Sequence, residues 1–381
     1  MKSDKPILIV GAGLAGCLMA AQLARLGYRV VVYEKRDAEE PPLLRSINLA
    51  LSAATLELLR DEGLLPAKIK KITTPLHGRV LHTQDGRQIF QPYAATEAEA
   101  TLLNPAAGAM SVARLDLNQL LRSSAAQCPN VEFNFRRRVL QCDPDTATLH
   151  VEDRLGKRSR VQGEIIIAAD GARSIVRRLM SRRKPGLQED LTQLRQAYKE
   201  ITLQPNRRIR KNTFHIWPRS GLLLMALPNR DGTFRGGIFL PRRGKNSFVR
   251  VKGARALRQF FRLYFADAIE SVPDLMRQWR KNPISPLVSL TCTPWHAART
   301  VLIGDACHTL YPFSGQGANL ALEDCVCLRE CIEQFAPDWQ SAFREFAEQR
   351  KPKVDFLCEA TRAVSNLVLN ALPHDGIGGL V

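Results

Sequence analysis

No run of about 18 consecutive apolar residues occurs in this chain, which excludes a helical membrane span. The first apolar stretch, Ile7 to Val10, is short and passes straight into glycines, so no secretory leader is read there. The nine cysteines are scattered, without the paired spacing of a disulfide framework or a zinc site. Cys325, Cys327 and Cys331 come closest to a cluster, but they lack a second ligand group and their spacing suits a helix, so buried thiols are expected. Neither paired carboxylates nor a nucleophile beside a base stands out. No catalytic side chain and no metal site is therefore assigned. Helix-turn-helix, RNA-binding-sheet and zinc-finger patterns are missing as well. These absences point to a reduced, cytoplasmic protein.

Positive charge is what the chain has in excess. Fifty-five lysines and arginines stand against 37 acids, for a net charge of +18. They bunch at Arg136–Arg138, at Arg177-Arg178 with Arg182-Arg183-Lys184, at Arg207-Arg208-Arg210-Lys211, and from Arg242 to Arg262. Such stripes suit a polyanion or an anionic membrane surface; they equally suit the solvated face of an Arg-rich enzyme with anionic cofactors. Few aromatics interleave with them, so the second reading is preferred and no specific nucleic acid is expected. A hydrophobic content of 45% is enough for a large core, read as two interleaved domains.

The strongest positive signal is Ile-Leu-Ile-Val-Gly-Ala-Gly-Leu-Ala-Gly at residues 7–16, followed by Val30-Val31-Val32-Tyr33-Glu34. It reads as strand, Gly-x-Gly-x-x-Gly turn, helix, strand and acid, the pattern that binds an adenine dinucleotide. Gly11 permits the tight turn, Gly13 lets the backbone approach a pyrophosphate, and Gly16 lets the helix pack on the sheet. The helix from Leu14, stopped by Gly27, turns its N-terminal dipole to the phosphates, and Glu34 accepts from a ribose. Further along, residues 79–93 alternate around Asp85-Gly86 as a hairpin, and residues 114–127 read as a helix. Short strands dominate from Tyr198 to Leu240. Residues 253–281, 317–335 and 339–372 carry helical patterns.

Two later segments repeat the strand-then-turn theme: Ile165 to Asp170-Gly171, and Val301-Leu302-Ile303-Gly304-Asp305 before Pro312-Phe313-Ser314-Gly315-Gln316-Gly317. In this order, behind the glycine turn, the three resemble the FAD-dependent aromatic hydroxylases (para-hydroxybenzoate hydroxylase-like, class A flavoprotein monooxygenases). The segments Arg45 to Leu51, Gly78 to His82, Gln91-Pro92-Tyr93, Tyr198-Lys199-Glu200, His215 to Pro218 and Ala226 to Asn229 resemble the kynurenine 3-monooxygenase branch of that family.

The resemblance implies an α/β fold. A Rossmann-type FAD-binding domain (residues 1–75, 105–180 and 290–340) is interleaved with an antiparallel-sheet substrate domain (76–104 and 181–289), and C-terminal helices follow (341–381). It implies FAD and NADPH as cofactors, O₂ and a small aromatic acid as partners, and ring hydroxylation through a C4a-hydroperoxyflavin. The most specific reading is L-kynurenine to 3-hydroxykynurenine. Another aryl amino acid or an anthranilate-like acid is an open alternative, as is a basic flavin-binding protein without hydroxylase activity. The cofactor residues it implies are Gly11, Gly13, Gly16, Glu34, Arg36, Arg114, Asp170, Asp305, Gly315, Gly317 and Asn319. Arg79 and Tyr93 hold the substrate carboxylate, with Phe313 beside them; from the residues alone Arg79 reads as an exposed hairpin arginine. In the family an asparagine and a tyrosine from the C-terminal helices complete the pocket, whereas here the region reads Ala360-Thr361-Arg362-Ala363-Val364-Ser365-Asn366. His308 is read as a helix-start hydrogen-bonding group. A monomer or homodimer without a transmembrane anchor is expected.

Overall fold

The computed structural model describes residues 4–38, 47–63, 66–93, 108–183 and 186–370. Arg45-Ser46, Lys184 and the chain beyond 370 lie outside the described residues. Among the described residues no helix is long and apolar enough to cross a membrane.

The first layer is a six-stranded sheet in the order His296–Ala297, Thr300–Leu302, Ile166–Ala168, Ile7–Val10, Val30–Tyr33 and Val131–Asn134, parallel except for the edge hairpin. Its central strands are continuous runs of Ile, Leu and Val, all buried, as expected of parallel strands covered on both faces. Helices Leu14–Arg25, Arg114–Ala126 and Gly317–Phe335 pack around it.

The second layer is an eight-stranded sheet in the order His308–Thr309, Ser285–Thr293, Gln188–Leu203, Phe234–Pro241, Leu222–Pro228, Phe214–Arg219, Gly78–His82 and Gln88–Pro92. The last two strands are the hairpin around Asp85-Gly86, with Gly86 at φ +88°. Alternation divides this sheet cleanly. Trp217, Leu224, Ile238 and Leu240 pack on the helices Ala254–Tyr264 and Leu275–Lys281. Leu223, Met225 and Phe239 face the other way, towards Tyr198, Phe313 and Leu369 of the final helix, Trp339–Asn370.

The expected basic helix over residues 253–281 is in fact broken. Phe265 leaves helical geometry to enter the core, a 3₁₀ turn follows at Ile269–Ser271, and Pro273 holds Val272 out of the α region before the next helix starts.

A buried polar chain ties the hairpin to this helical layer. His82 Nδ1 lies 2.8 Å from Asp267 Oδ2 and its Nε2 lies 2.8 Å from His215 Nδ1. His215 Nε2 meets the Arg210 carbonyl at 2.8 Å, and Trp217 donates to Asp267 at 2.8 Å. Burial pushes the His215 imidazole down to about 4. As pH falls from 6.5 towards 4, the unfolded chain therefore takes up a proton that the folded chain refuses, and stability is lost across that window, levelling off below it. The loss is at most about 3 kcal/mol. Denaturant titrations at pH 7, 5.5 and 4.5 are expected to show this slope in the parent and a shallower one in His215→Gln.

Candidate active site

The three glycines of the first turn are there for three different reasons. Gly11 has φ +104°, and a Cβ there would stand 2.5 Å from the Ala169 carbonyl oxygen on the neighbouring strand end. A Cβ on Gly16 would stand 1.9 Å from the Gly11 carbonyl oxygen, because the helix sits directly on the turn. Gly13 has an ordinary extended backbone, and a Cβ there would meet nothing within 4 Å. It borders open space. The helix that starts here has no side-chain cap, which leaves its first-turn amides for a ligand in that space.

The space is a cavity of about 710 Å³. At one end is Glu34, nearly fully buried. Its Oε2 accepts from the Ala12 amide at 2.9 Å, and its Oε1 accepts from the amide and Nε of Arg36, both at 2.9 Å. Burial alone would raise the Glu34 pKa; the Arg36 hydrogen bond and charge and the two amides outweigh it and hold the carboxyl below the usual range. Arg114, at the start of its helix, and Asn118 one turn on also line the cavity, and Asn118 donates to the Ala12 carbonyl at 3.1 Å.

Asp170 forms part of the wall. Its Oδ2 accepts from the Ile175 amide at 2.7 Å and so starts the helix Ile175–Arg183, while its Oδ1 is buried without a partner. Burial raises its pKa despite the amides it accepts from. An acceptor left open in a cavity wall fits a ligand with a donor to offer. Asp305 follows on the turn Gly304–Ala306, and Gly317 opens the helix Gly317–Phe335; both line the cavity. Gly16 and Gly315 do not. Gly315 makes the turn before that helix at φ +66°. Asn319 is also absent from the lining: it accepts from Thr55 Oγ1 at 2.8 Å and donates to the Ala50 carbonyl at 3.1 Å, stitching the helix to the strand Leu49–Leu51.

Arg79, Gln91 and Tyr93 share one face of the hairpin. Arg79 Nε donates to Gln91 Oε1 at 2.5 Å, and the Arg79 charge partly offsets the burial that raises the Tyr93 phenol. Phe214, in register with Arg79, packs with Tyr93 on the small cluster of Leu76, Ala109 and Leu227, and also on the Phe239 cluster where Phe313 packs. Phe313 contacts Phe239 at 5.2 Å between ring centroids, and Phe239 stacks on Tyr198 at 5.6 Å. Tyr198 lines the large cavity. This aromatic series links the cavity to the Arg79 face. Tyr198 carried no assigned role in the sequence; only its place opposite Phe239 in the sheet register reveals one.

His308 is not at a helix start. It lies fully buried on a strand, with Nε2 2.6 Å from Asp324 Oδ2. The same carboxylate accepts from the Gly304 amide at 3.0 Å and from Arg350 Nε at 2.8 Å. A thiol, Cys307, stands beside this pair. The pairing has a physical cause: Asp324 is fully buried, and a carboxylate there needs charged and amide donors.

A parallel sheet with this glycine turn and acid, joined to a broad antiparallel sheet by an aromatic face, defines a flavoprotein monooxygenase. An FAD binding domain family matches residues 4–337. The kynurenine 3-monooxygenase of Salinispora arenicola is 39% identical over 371 residues, spanning 94% of this chain and 78% of that relative. That of Flavobacterium johnsoniae is 35% identical over 94% of this chain and 79% of its own length. The solved structure of Pseudomonas aeruginosa PqsL in complex with 2-aminobenzoylacetate shares the fold, with a TM-score of 0.73 and 19% identity over 96% of both chains. The chain belongs to the kynurenine 3-monooxygenase family of flavoprotein aromatic monooxygenases, and FAD is its cofactor.

The glycine geometry separates packing from cofactor contact. Gly16→Ala, driven into a backbone oxygen, is expected to lose several kcal/mol or fail to fold. Gly13→Val is expected to keep a Tm close to that of the flavin-stripped parent yet purify with less than about a tenth of the parent's flavin absorbance. Thermal unfolding and the visible spectrum check both.

Proposed function

We propose that the protein hydroxylates L-kynurenine to 3-hydroxykynurenine, consuming NADPH and O₂. The observation that carries this reading is the half-buried Arg79 beside Tyr93, on the sheet face that leads through Phe214 and Phe313 towards the large cavity. The names and identity of the relatives support it.

FAD, when bound, supplies the two-electron chemistry that joins NADPH oxidation to O₂ activation. The chain's own residues bind, orient and exclude water. Gly13 and the first-turn amides would hold the pyrophosphate of FAD, Glu34 would accept from its ribose, and Arg36 would lie near the adenosine end. Arg114, Asp170 and Asp305, which line the same cavity, would hold the rest of the cofactor. The helix N-terminus at Gly317 would favour negative charge on the flavin. Gly16, Gly315 and Asn319 act one step back, by shaping the turns that carry these groups. Arg79 offers a planar fork to the substrate carboxylate, held in orientation by Gln91, and Tyr93 adds a phenolic donor. Phe313 and Phe239 keep water from the ring. The substrate's aniline nitrogen activates its ortho carbon, so no side-chain nucleophile is required.

The two sheets support a division into an FAD-binding domain (1–75, 105–180, 290–340), a substrate domain (76–104, 181–289) and a C-terminal helical segment (341–381). A second substrate class, an anthranilate-like acid or another aryl amino acid, is favoured by one observation. Thr361 and Ser365 are buried in the final helix, in the region that matches the family's pocket asparagine.

L-Kynurenine is expected to accelerate NADPH oxidation and to yield a product one oxygen atom heavier. A panel of aromatic acids assayed with product mass decides between the two classes, and peroxide alone with every acid would sink both. Arg79→Ala is expected to raise KM by about 30-fold or more at normal flavin content, because it leaves a carboxylate unpaired. Arg79→Lys should recover only part of this, and an unchanged KM in Arg79→Ala would remove the carboxylate role.

A further inference from the structure

The face of the substrate domain farthest in function from the cavity carries a concentration of charge that the hydroxylation does not use. Residues 242–262 contain eight cations (Arg242, Arg243, Lys245, Arg250, Lys252, Arg255, Arg258 and Arg262) and no acid. All eight are exposed, and none has an ion pair among the described residues. Elsewhere this chain pairs its arginines readily, as at Arg138 with Glu152 or Arg299 with Glu164.

The helix Ala254–Tyr264 organises this charge. Leu257, Phe260 and Phe261 face the core, so the spacing of three and four residues sets Arg255, Arg258 and Arg262 in one outward stripe. Beside the stripe runs a groove of about 510 Å³ between the helix and the loop before it. Phe260, Val251 and Ala256 contribute apolar lining, Lys245 and Arg250 contribute cations, and Leu263 lines it while 64% exposed. Val249, next to Arg250, is 51% exposed. The next acid along the chain, Asp267, turns inward to His82 and Trp217 and neutralises none of this.

We propose that this face docks on an anionic phospholipid bilayer, with the cations on the head groups and Leu263 and Val249 at the acyl boundary. Charge complementarity selects an anionic partner. The exposed aliphatic pair selects a lipid surface over a nucleic acid: Phe248, Phe260 and Phe261 are buried, and half-buried Tyr264 has its ring 5.0 Å from Phe260 and accepts from Asn246 at its hydroxyl, so no aromatic stands out to stack on a base. The buried apolar stripe holds the helix on the protein, so the docking is peripheral.

The test uses the full-length holoenzyme with vesicles of phosphatidylcholine, with and without 30% phosphatidylglycerol. Binding is expected only with the anionic lipid. The triple variant Arg255→Glu, Arg258→Glu, Arg262→Glu should weaken it by about tenfold or more. A charge-matched control, Arg154→Glu, Lys157→Glu, Arg160→Glu, alters exposed cations on the separate sheet around Arg158–Gln162 and should change it less than about twofold. Leu263→Ser with Val249→Ser should weaken vesicle binding about threefold or more and leave binding to duplex DNA unaltered. Hydroxylase turnover without vesicles should stay at the parent value in every variant, which shows that each is folded. Equal losses in the two triple variants would reduce the effect to net charge and overturn the proposal. An aliphatic double variant that binds vesicles like the parent, while DNA competes with them fully, would overturn it in favour of a nucleic-acid surface.

Discussion

Everything at the cavity rests on one close approach of backbone to backbone. At Gly11 the chain passes so near the end of the strand Ile166–Ala168 that a Cβ would sit 2.5 Å from the Ala169 carbonyl oxygen. That contact brings the glycine turn, with Glu34 on the next strand, alongside Asp170, which is 159 residues later in the chain. The helix then presses on the turn at Gly16. A side chain at Gly11 would push the two strand ends apart, and one at Gly16 would lift the helix off the turn. The turn is therefore over-determined by packing, and of its three glycines Gly13 alone has open space where a Cβ would stand.

A second constraint holds the opposite wall. Asp324 is fully buried, and burial alone would raise its pKa; the His308 and Arg350 charges and their hydrogen bonds hold it below the usual range. Buried ion pairs seldom add net stability against apolar groups of the same size, but removing one partner strands the others. What this cluster provides is position. Through the Gly304 amide it fixes the turn that carries Asp305, and through Arg350 it clamps the final helix to Gly317–Phe335. The same helix reaches the Phe239 face of the eight-stranded sheet at Leu369, so the cavity wall and that face share a support.

The two faces of the eight-stranded sheet divide its work. The face with Trp217 and Ile238 is a plain hydrophobic core, sealed by the broken helical layer that also presents the basic stripe outward. The face with Phe239 and Tyr198 runs between the cavity and Arg79. The His215–His82–Asp267 chain crosses from the hairpin into the helical layer. The strand that bears Arg79 is in this way anchored three residues further along by groups away from the solvent.

Local pattern determined much of this protein. The glycine turn, its flanking strands and Glu34 were readable because strand, turn and helix there are set by neighbours within about 30 residues. The hairpin around Asp85-Gly86 and the helix from Arg114 followed from alternation and spacing for the same reason. The break in the 253–281 pattern was not read, because Phe265 leaves the helix to fill a core made by distant strands. His308 was misplaced because its partner, Asp324, lies 16 residues on and faces it only once a helix and a strand have packed. Tyr198 had no visible role until the sheet register set it on Phe239. Asn319 is named by the family resemblance alone, and whether it points to a cavity or stitches two elements depends on the helix's rotation against the strand at Ala50. Sequence by itself thus determined which segments turn, extend and bind an anion. Tertiary structure decided which side chains meet, because contacts between residues a hundred or more positions apart are set by how layers pack and not by any local preference.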